Sequence, residues 1–353
     1  MKVLQINTEK GYRGGERQTI LTTMGLINLG HEVDIMCLKG EPLSQKALDK
    51  SLNVIPVSNQ TACFTKLITA ADEYDILHAQ SAKAFGYAAM SKFFHKQPLI
   101  YTRRVDFIPS SGKLTKFKYK KAAAVAAIST AIKEILVDYG LEKVELIPSI
   151  VNNTVPDTER ARRILQEKNI DVSKKIVGVA AAFTGHKDPM TMVAAAKLVL
   201  DNCPEAIFIH FGDGGLRDQV ENAVKKADIV KRYILMGHVA DVEDFFPLFS
   251  VFAMSSSKEG LGSSVLDAFL HRVPVASTDA GGLKNLVTNR GLVCGTGDAS
   301  GLADNIMILL NDKVRSETFC DRAYDYCLSE HSMEAIVLKY QSLYKKVLSK
   351  KVL

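Results

Sequence analysis

Short apolar runs alternate with amphipathic stretches along nearly the whole chain. Residues 3–7, 33–38, 53–57, 75–78, 99–102, 125–128 and 144–147 form one series of such runs. Residues 176–180, 207–211, 233–236, 251–253 and 273–277 form a second. Continuous apolar runs, separated by helical patterns, belong to parallel strands covered on both faces. Between the first two runs lie the turn Gly11-Tyr12-Arg13-Gly14-Gly15 and a helical pattern from about 16 to 29. The two series predict an α/β protein of two doubly wound, Rossmann-like domains, at residues 1–155 and 156–331. Their join falls near 149–157, where Pro148 and Pro156 flank polar Asn152, Asn153 and Thr154. Residues 332–353 follow as a helix, with Ala335, Leu338, Leu343, Val347 and Leu348 at roughly helical spacing among lysines. No fixed-period repeat interrupts this order.

Ligands of open α/β sheets bind beyond the carboxyl ends of strands, so the loops there are where chemistry is sought. The loop after residue 253 is the most informative. In Ser255-Ser256-Ser257-Lys258-Glu259-Gly260-Leu261-Gly262-Ser263-Ser264-Val265-Leu266-Asp267, two carboxylates eight residues apart bracket a glycine turn. A helix beginning near Ser263 would point free N–H groups from Ser263 to Leu266 at one spot suited to a phosphate. Glu259 would sit at the mouth of that spot, and Asp267 one turn down the same helix face. An anion flanked by two hydroxyl-accepting carboxylates describes a nucleoside-diphosphate sugar. The blander reading is an ordinary turn with Asp267 on a solvated face.

The run from Glu259 through Pro274, Val275 and Ala276 to Gly281-Gly282 resembles the signature of glycosyltransferase family 4, retaining sugar transferases of the two-domain GT-B fold with a cleft between the domains. The resemblance implies that Glu259 holds donor-sugar hydroxyls and that Asp267, one methylene short of the family's second glutamate, holds the ribose. Gly260, Leu261, Gly262, Ser263 and Ser264 would line the donor between them. Lys187, in Ala182-Phe183-Thr184-Gly185-His186-Lys187-Asp188-Pro189, matches the family lysine that neutralises the leaving diphosphate. The companion arginine is replaced by Ala182, and Arg13 or Arg17 is its candidate substitute. The Gly14-Gly15 loop would approach the diphosphate and the acceptor. Gly212-Asp213-Gly214-Gly215-Leu216-Arg217 resembles a family turn, read mainly as architecture, and Gly237 with His238 would seat the base. Arg103 stands where many members have a histidine near the reacting sugar. It cannot act as a base at neutral pH, so Arg103 and Arg104 are read as grips for an acidic acceptor, with Arg13 and His78 as further acceptor-side candidates. The final helix would cross back to the first domain.

The function implied is a metal-independent, retaining transfer of sugar to a glycan, lipid-linked or lipopolysaccharide-type acceptor, with no cofactor. A sugar-nucleotide epimerase, a phosphorylase or a non-catalytic nucleotide-sugar-binding protein would share the fold. A dehydrogenase would need G-x-G-x-x-G and an acid closing the second strand, and neither is present. No D-x-D pair offers the usual metal grip, so charge neutralisation falls to Lys187 and the helix tip.

At 353 residues the chain has room for two domains of about 100–200 residues each. Six scattered cysteines contain no C-x-x-C pair, which argues against a zinc site or disulfide framework. The opening residues turn polar too soon for a signal peptide, and no apolar run approaches the roughly 18 residues of a membrane span. A cytoplasmic enzyme is expected. The net charge of +6 is uneven: residues 1–163 hold 23 basic against 16 acidic side chains. Much of the excess sits in Lys113–Lys121, where lysines alternate with Leu114, Phe117 and Tyr119. That pattern suits peripheral contact with anionic lipid at the inner face of the membrane, and a solvated helix face explains the same lysines. Nucleic acid is a weaker reading, because no binding motif accompanies the patch.

Overall fold

The computed structural model describes residues 1–151, 155–239 and 241–350; the polar run 152–154 lies outside the described residues. The chain divides into unit 1, residues 1–152 with 330–353, and unit 2, residues 153–329.

Unit 1 is built on β1 (Lys2–Asn7), β2 (Glu32–Leu38), β3 (Asn53–Val57), β4 (Ile76–Ala79), β5 (Leu99–Arg103), β6 (Ala124–Ala127) and β7 (Val144–Leu146). All pairings are parallel, in the order β3-β2-β1-β4-β5-β6-β7. Unit 2 holds β8 (Lys175–Ala180), β9 (Ala206–Phe211), β10 (Tyr233–Gly237), β11 (Val251–Met254), β12 (Val275–Thr278) and β13 (Leu292–Cys294), again parallel, in the order β10-β9-β8-β11-β12-β13. Each order reverses once, between β1 and β4 and between β8 and β11. Chains leaving two neighbouring strands there diverge to opposite faces, which opens a crevice beyond the strand ends.

Sequence and structure differ at some boundaries. Strand β12 begins at Val275 rather than 273, because Pro274 has no N–H to give a ladder; its carbonyl accepts from Phe252 N at 2.9 Å. The first helix runs Gly14–Asn28, two residues ahead of the expected start, because the Glu16 carboxylate accepts from Arg13 N–H and caps it. Strand β13 was not anticipated. Its three half-buried residues lie on the sheet edge and carry too short an apolar run to be read.

The last helix, Met333–Ser349, buries Ile336, Val337, Tyr340, Leu343, Tyr344 and Val347 in one cluster with Val3, Leu26, Ile76 and Ile100 of unit 1. The expected stripe is thus corrected: Leu338 is 46% exposed, and two tyrosines carry the buried face instead.

Candidate active site

The loop after β11 ends on the helix Ser263–Leu270, whose N-cap is Gly262 in the left-handed region at φ 87°. A Cβ at Gly262 would lie 2.5 Å from Leu283 Cδ2, so only glycine lets the loop turn here. Gly282 N–H donates to Glu259 O at 2.9 Å, and Thr278 Oγ1 donates to Ser256 O at 2.6 Å. The loop is therefore pinned from behind by the end of β12 and the segment after it. The N–H groups of Val265 and Leu266 both bond the Gly262 carbonyl. This corrects the expectation of four open donors: Ser263 and Ser264 supply the free tip. Ser264 Oγ bonds Ala180 O at the end of β8, fixing the tip over the switch point. Asp267, one turn down on the Ser263 face, is buried rather than solvated.

Across the switch point, the loop after β8 carries Lys187. Asp188 adopts φ 44° and caps the helix Pro189–Asn202 by accepting from Thr191 N and Thr191 Oγ1. Three donors from the other loop hold this turn. Ser257 and Lys258 N–H bond His186 O, and Ser255 Oγ bonds the carbonyls of Lys187 and Asp188 at 3.1 and 2.8 Å. The result brings Lys187 Nζ into an ion pair with Glu259 Oε2, both side chains largely buried. Sequence reasoning had given the two residues separate tasks and had not placed Ser255, Ser257 or Asp188 among the supports.

Gly212 and Gly237 turn out to serve each other. Gly212 N–H donates to Gly237 O at 2.8 Å, and a Cβ on Gly212 would meet Ala181 O at 2.0 Å. The Gly212 amide is spent on that bond, so the donor-binding assignment of Gly212 is corrected to a structural one. The same brace involves His210, which the sequence reading overlooked: it contacts Ala181 O at 3.1 Å and Tyr233 OH at 2.8 Å, and burial pushes its pKa down to about 4. His238 is exposed just beyond. Among the described residues, no group of three or more His, Cys, Asp or Glu side chains could hold a metal ion.

In unit 1 the candidates separate. His78 is fully buried, with Nδ1 against Tyr344 OH and Nε2 against Thr102 Oγ1, each at 2.7 Å. Burial, helped by the Arg104 charge, pushes its pKa down to about 3. It cannot reach an acceptor, and its candidacy is withdrawn. Arg103 is 4% exposed; it donates to Tyr119 OH at 2.7 Å and to the Phe107 carbonyl, and lies over the Phe107 ring. A guanidinium so engaged is a brace, so the catalytic assignment of Arg103 is corrected too. Tyr119 consequently faces the interior, not a lipid surface.

Arg104 is different. It donates to Gln80 Oε1 at 2.7 Å, reaches Ser149 Oγ at 3.4 Å, and passes its stem beside the Gly15 turn. Gln80 is itself oriented by Gln5. Burial lowers the Arg104 pKa, yet a guanidinium remains charged at any ordinary pH. Arg13 and Gly14 are exposed at the start of the first helix.

Two family models cover most of the chain: Glycosyltransferase Family 4 matches residues 12–155 and Glycosyl transferases group 1 matches 161–326. The chain belongs to glycosyltransferase family 4. Among curated family relatives, N-acetyl-alpha-D-glucosaminyl L-malate synthase of Bacillus anthracis is 26% identical over 68% of this chain and 64% of its own. The UDP-Gal:alpha-D-GlcNAc-diphosphoundecaprenol alpha-1,3-galactosyltransferase of Escherichia coli is 22% identical over 89% of each. The chain matches less than two thirds of the length of several such relatives, 23% in the Vi polysaccharide biosynthesis protein VipC/TviE of Salmonella typhi. Solved structures agree on the fold: Anabaena HepE in complex with UDP and glucose superposes with a TM-score of 0.85 over 98% of this chain and 100% of its own, at 19% identity. A glycosyltransferase from Rickettsia africae gives 0.82 over 98% of each, at 19% identity. The fold is GT-B. Against the family pattern, the Ala182 position offers no cation, and Lys187 is the loop's cation paired to Glu259.

Proposed function

We propose that the chain transfers a sugar from a nucleotide-sugar donor to a glycan or lipid-linked acceptor, with retention at the anomeric carbon and without a metal ion. The observation that carries this reading is the meeting of Lys187 and Glu259 at the open end of the Ser263–Leu270 helix. A diphosphate arriving at the tip offers the ammonium more negative charge than one carboxylate does. Lys187 then turns to the phosphates, and Glu259 is released to accept from the sugar hydroxyls. The Ser263 and Ser264 N–H groups, at the positive end of the helix, hold a phosphate oxygen. Asp267 takes a ribose hydroxyl, with Gly237 and His238 beside the base.

Only interactions that strengthen in the transition state speed the reaction, and the leaving diphosphate gains charge there. Lys187 and the helix tip meet that charge. The acceptor hydroxyl attacks the anomeric carbon on the face the phosphate leaves. As the carbon–oxygen bond to phosphate breaks, a departing phosphate oxygen takes the hydroxyl proton. Glu259 is paired to a lysine, not to a second carboxylate at the roughly 5 Å spacing of a covalent relay. Arg104, with the Arg13-Gly14-Gly15 turn, is the acceptor-side cation. The relatives, a UDP-galactose transferase among them, support a nucleotide-sugar donor.

The helix Lys113–Lys121 is proposed to touch anionic membrane. Lys113, Lys116 and Lys120 are exposed, beside Leu114, Phe107 and Ile108 at 66, 61 and 75% exposure. No helix among the described residues is long and apolar enough to cross a membrane. Each nearby lysine would contribute about 1 kcal/mol at low salt. Co-sedimentation with anionic vesicles should fall as salt rises and fall again on replacing Lys113, Lys116 and Lys120 with glutamine; salt-insensitive binding would leave a solvated face. The transfer itself is tested by incubating the protein with UDP-, GDP- and ADP-sugars and candidate acceptors, and reading the product's anomeric configuration by NMR. An inverted product, an isomerised donor, or activity abolished by EDTA and restored by a divalent ion would each overturn part of the reading.

A further inference from the structure

A cavity of about 380 Å³ opens at the amino ends of β5, β6 and β7, the sheet edge away from the Gly14-Gly15 and Arg104 loops. Its lining includes Lys92, Lys96, Lys121, Lys143, Lys346 and Lys350. Among the described residues of the lining, Glu142 and Glu145 offset them, leaving four positive charges around one hollow. Lys346 pairs with Glu145, whereas the amines of Lys96, Lys143 and Lys350 have no partner among the described residues. Lys92 donates to the Gln97 carbonyl and Lys121 lies over an aromatic ring, so Lys96, Lys143 and Lys350 are the amines an anion would join. Leu99 at the start of β5, with Leu343 and Val347 of the final helix, gives the same hollow an apolar wall.

The rim supplies the second half of the argument. Phe93 and Phe94, directly after Lys92, are 69 and 59% exposed. Phe93 stacks on Phe117 with centroids 5.5 Å apart, and Lys121, which lines the cavity, lies over the Phe93 ring at 4.9 Å. A lysine-rich hollow whose lip carries exposed aromatic rings matches a ligand that is phosphate at one end and hydrocarbon at the other. Aromatic rings sit well at a membrane interface, and lysine serves a phosphate as a compact charge.

We propose that this cavity is a headgroup site for an anionic glycerophospholipid, with the aromatic rim meeting the first methylenes of its chains. The proposal rests on the reading that the basic face of unit 1 meets an anionic membrane, and it names the component of that membrane which is bound individually. Its size is that of a small-ligand pocket, of order 300 Å³ or more.

The test uses the full chain and dihexanoyl phosphatidylglycerol below its micelle concentration, so that no membrane is present. Saturable binding by calorimetry is expected, with dihexanoyl phosphatidylcholine binding at least tenfold more weakly. Lys96→Gln, Lys143→Gln and Lys350→Gln combined should weaken binding at least tenfold, while arginine at the same three positions should retain it. Lys116→Gln with Lys118→Gln, outside the cavity, should leave monomer binding unchanged, whatever it does to vesicle sedimentation. That contrast separates failure of this site from failure of the helix-surface reading. Equal binding of the two lipids, inorganic phosphate binding as tightly as the phosphatidylglycerol, or a triple glutamine variant that binds like wild type would overturn the proposal.

Discussion

The loops after β8 and β11 in unit 2 and the end of β5 in unit 1 all carry charged residues at strand ends, and the two units dispose of those charges in opposite ways. In unit 2, serine hydroxyls and backbone amides do the bracing, which leaves the side chains of Lys187 and Glu259, among the described residues, paired with each other. In unit 1 the charged side chain is itself the brace: Arg103 holds Tyr119 and the Phe107 carbonyl. A charge that braces cannot also react. The difference makes unit 2 the place where a bound anion can rearrange partners, and it leaves Arg104 as the unit 1 cation set by neighbours yet close to the Gly15 turn.

The largest test of this contrast is Glu259→Gln. The amide keeps the shape but cannot accept as strongly from donor hydroxyls, and an unanchored reacting sugar costs about 10²-fold in turnover. Nucleotide binding should change little. Steady-state kinetics beside calorimetry with the bare nucleotide separates the two; full turnover in the variant would remove Glu259 from the donor site.

Lys187→Ala should follow with a loss of about 30-fold, carried in kcat rather than in KM, since the ammonium acts on charge that appears as the diphosphate leaves. The same change frees Glu259 from its ion pair. If KM alone rose, the lysine would be a ground-state contact and the partner exchange described above would be wrong.

In unit 1 the two neighbouring arginines should part company. Arg104→Met should raise the acceptor KM by about tenfold, the worth of one or two charge-assisted hydrogen bonds, with the donor KM unmoved. Arg103→Met should lower the denaturation midpoint while kcat/KM of the folded fraction holds. An acceptor effect at Arg103 as large as at Arg104 would erase the distinction between brace and grip.

Much of this was readable in advance, for local reasons. Parallel strands buried on both faces write themselves as apolar runs, and the donor loop declares itself because the backbone turn at Gly262 is encoded by the glycine itself. What could not be read is long-range. Lys187 and Glu259 are 72 residues apart, and nothing in either segment says that they touch. The burial of His78 and of Arg103 has one kind of cause. Strand-end position suggests access, but Tyr344 and Tyr340, 266 and 238 positions along the chain from His78 and Thr102, arrive on the last helix and cover that end of the sheet. Tyr119 does the same for Arg103.

The smallest effect expected is on stability against pH, and it bears on the two units equally. His78 in unit 1 and His210 in unit 2 are each held neutral by burial, with pKa values lowered to about 3 and about 4 from an ordinary 6.5. Above pH 6.5 both folded and unfolded forms are neutral, so nothing is lost. Between 6.5 and about 4 the unfolded chain takes up protons that the folded chain refuses, and stability falls as pH falls. Each histidine should remove about 0.7 kcal/mol between pH 7 and pH 6. Denaturant titrations at the two pH values would read it, and His210→Phe should abolish the unit 2 share while leaving that of unit 1. A pH response unchanged by this substitution would mean that His210 takes up protons alike in the folded and unfolded chains, and the neutral brace beneath the Ala182 loop would have to be abandoned.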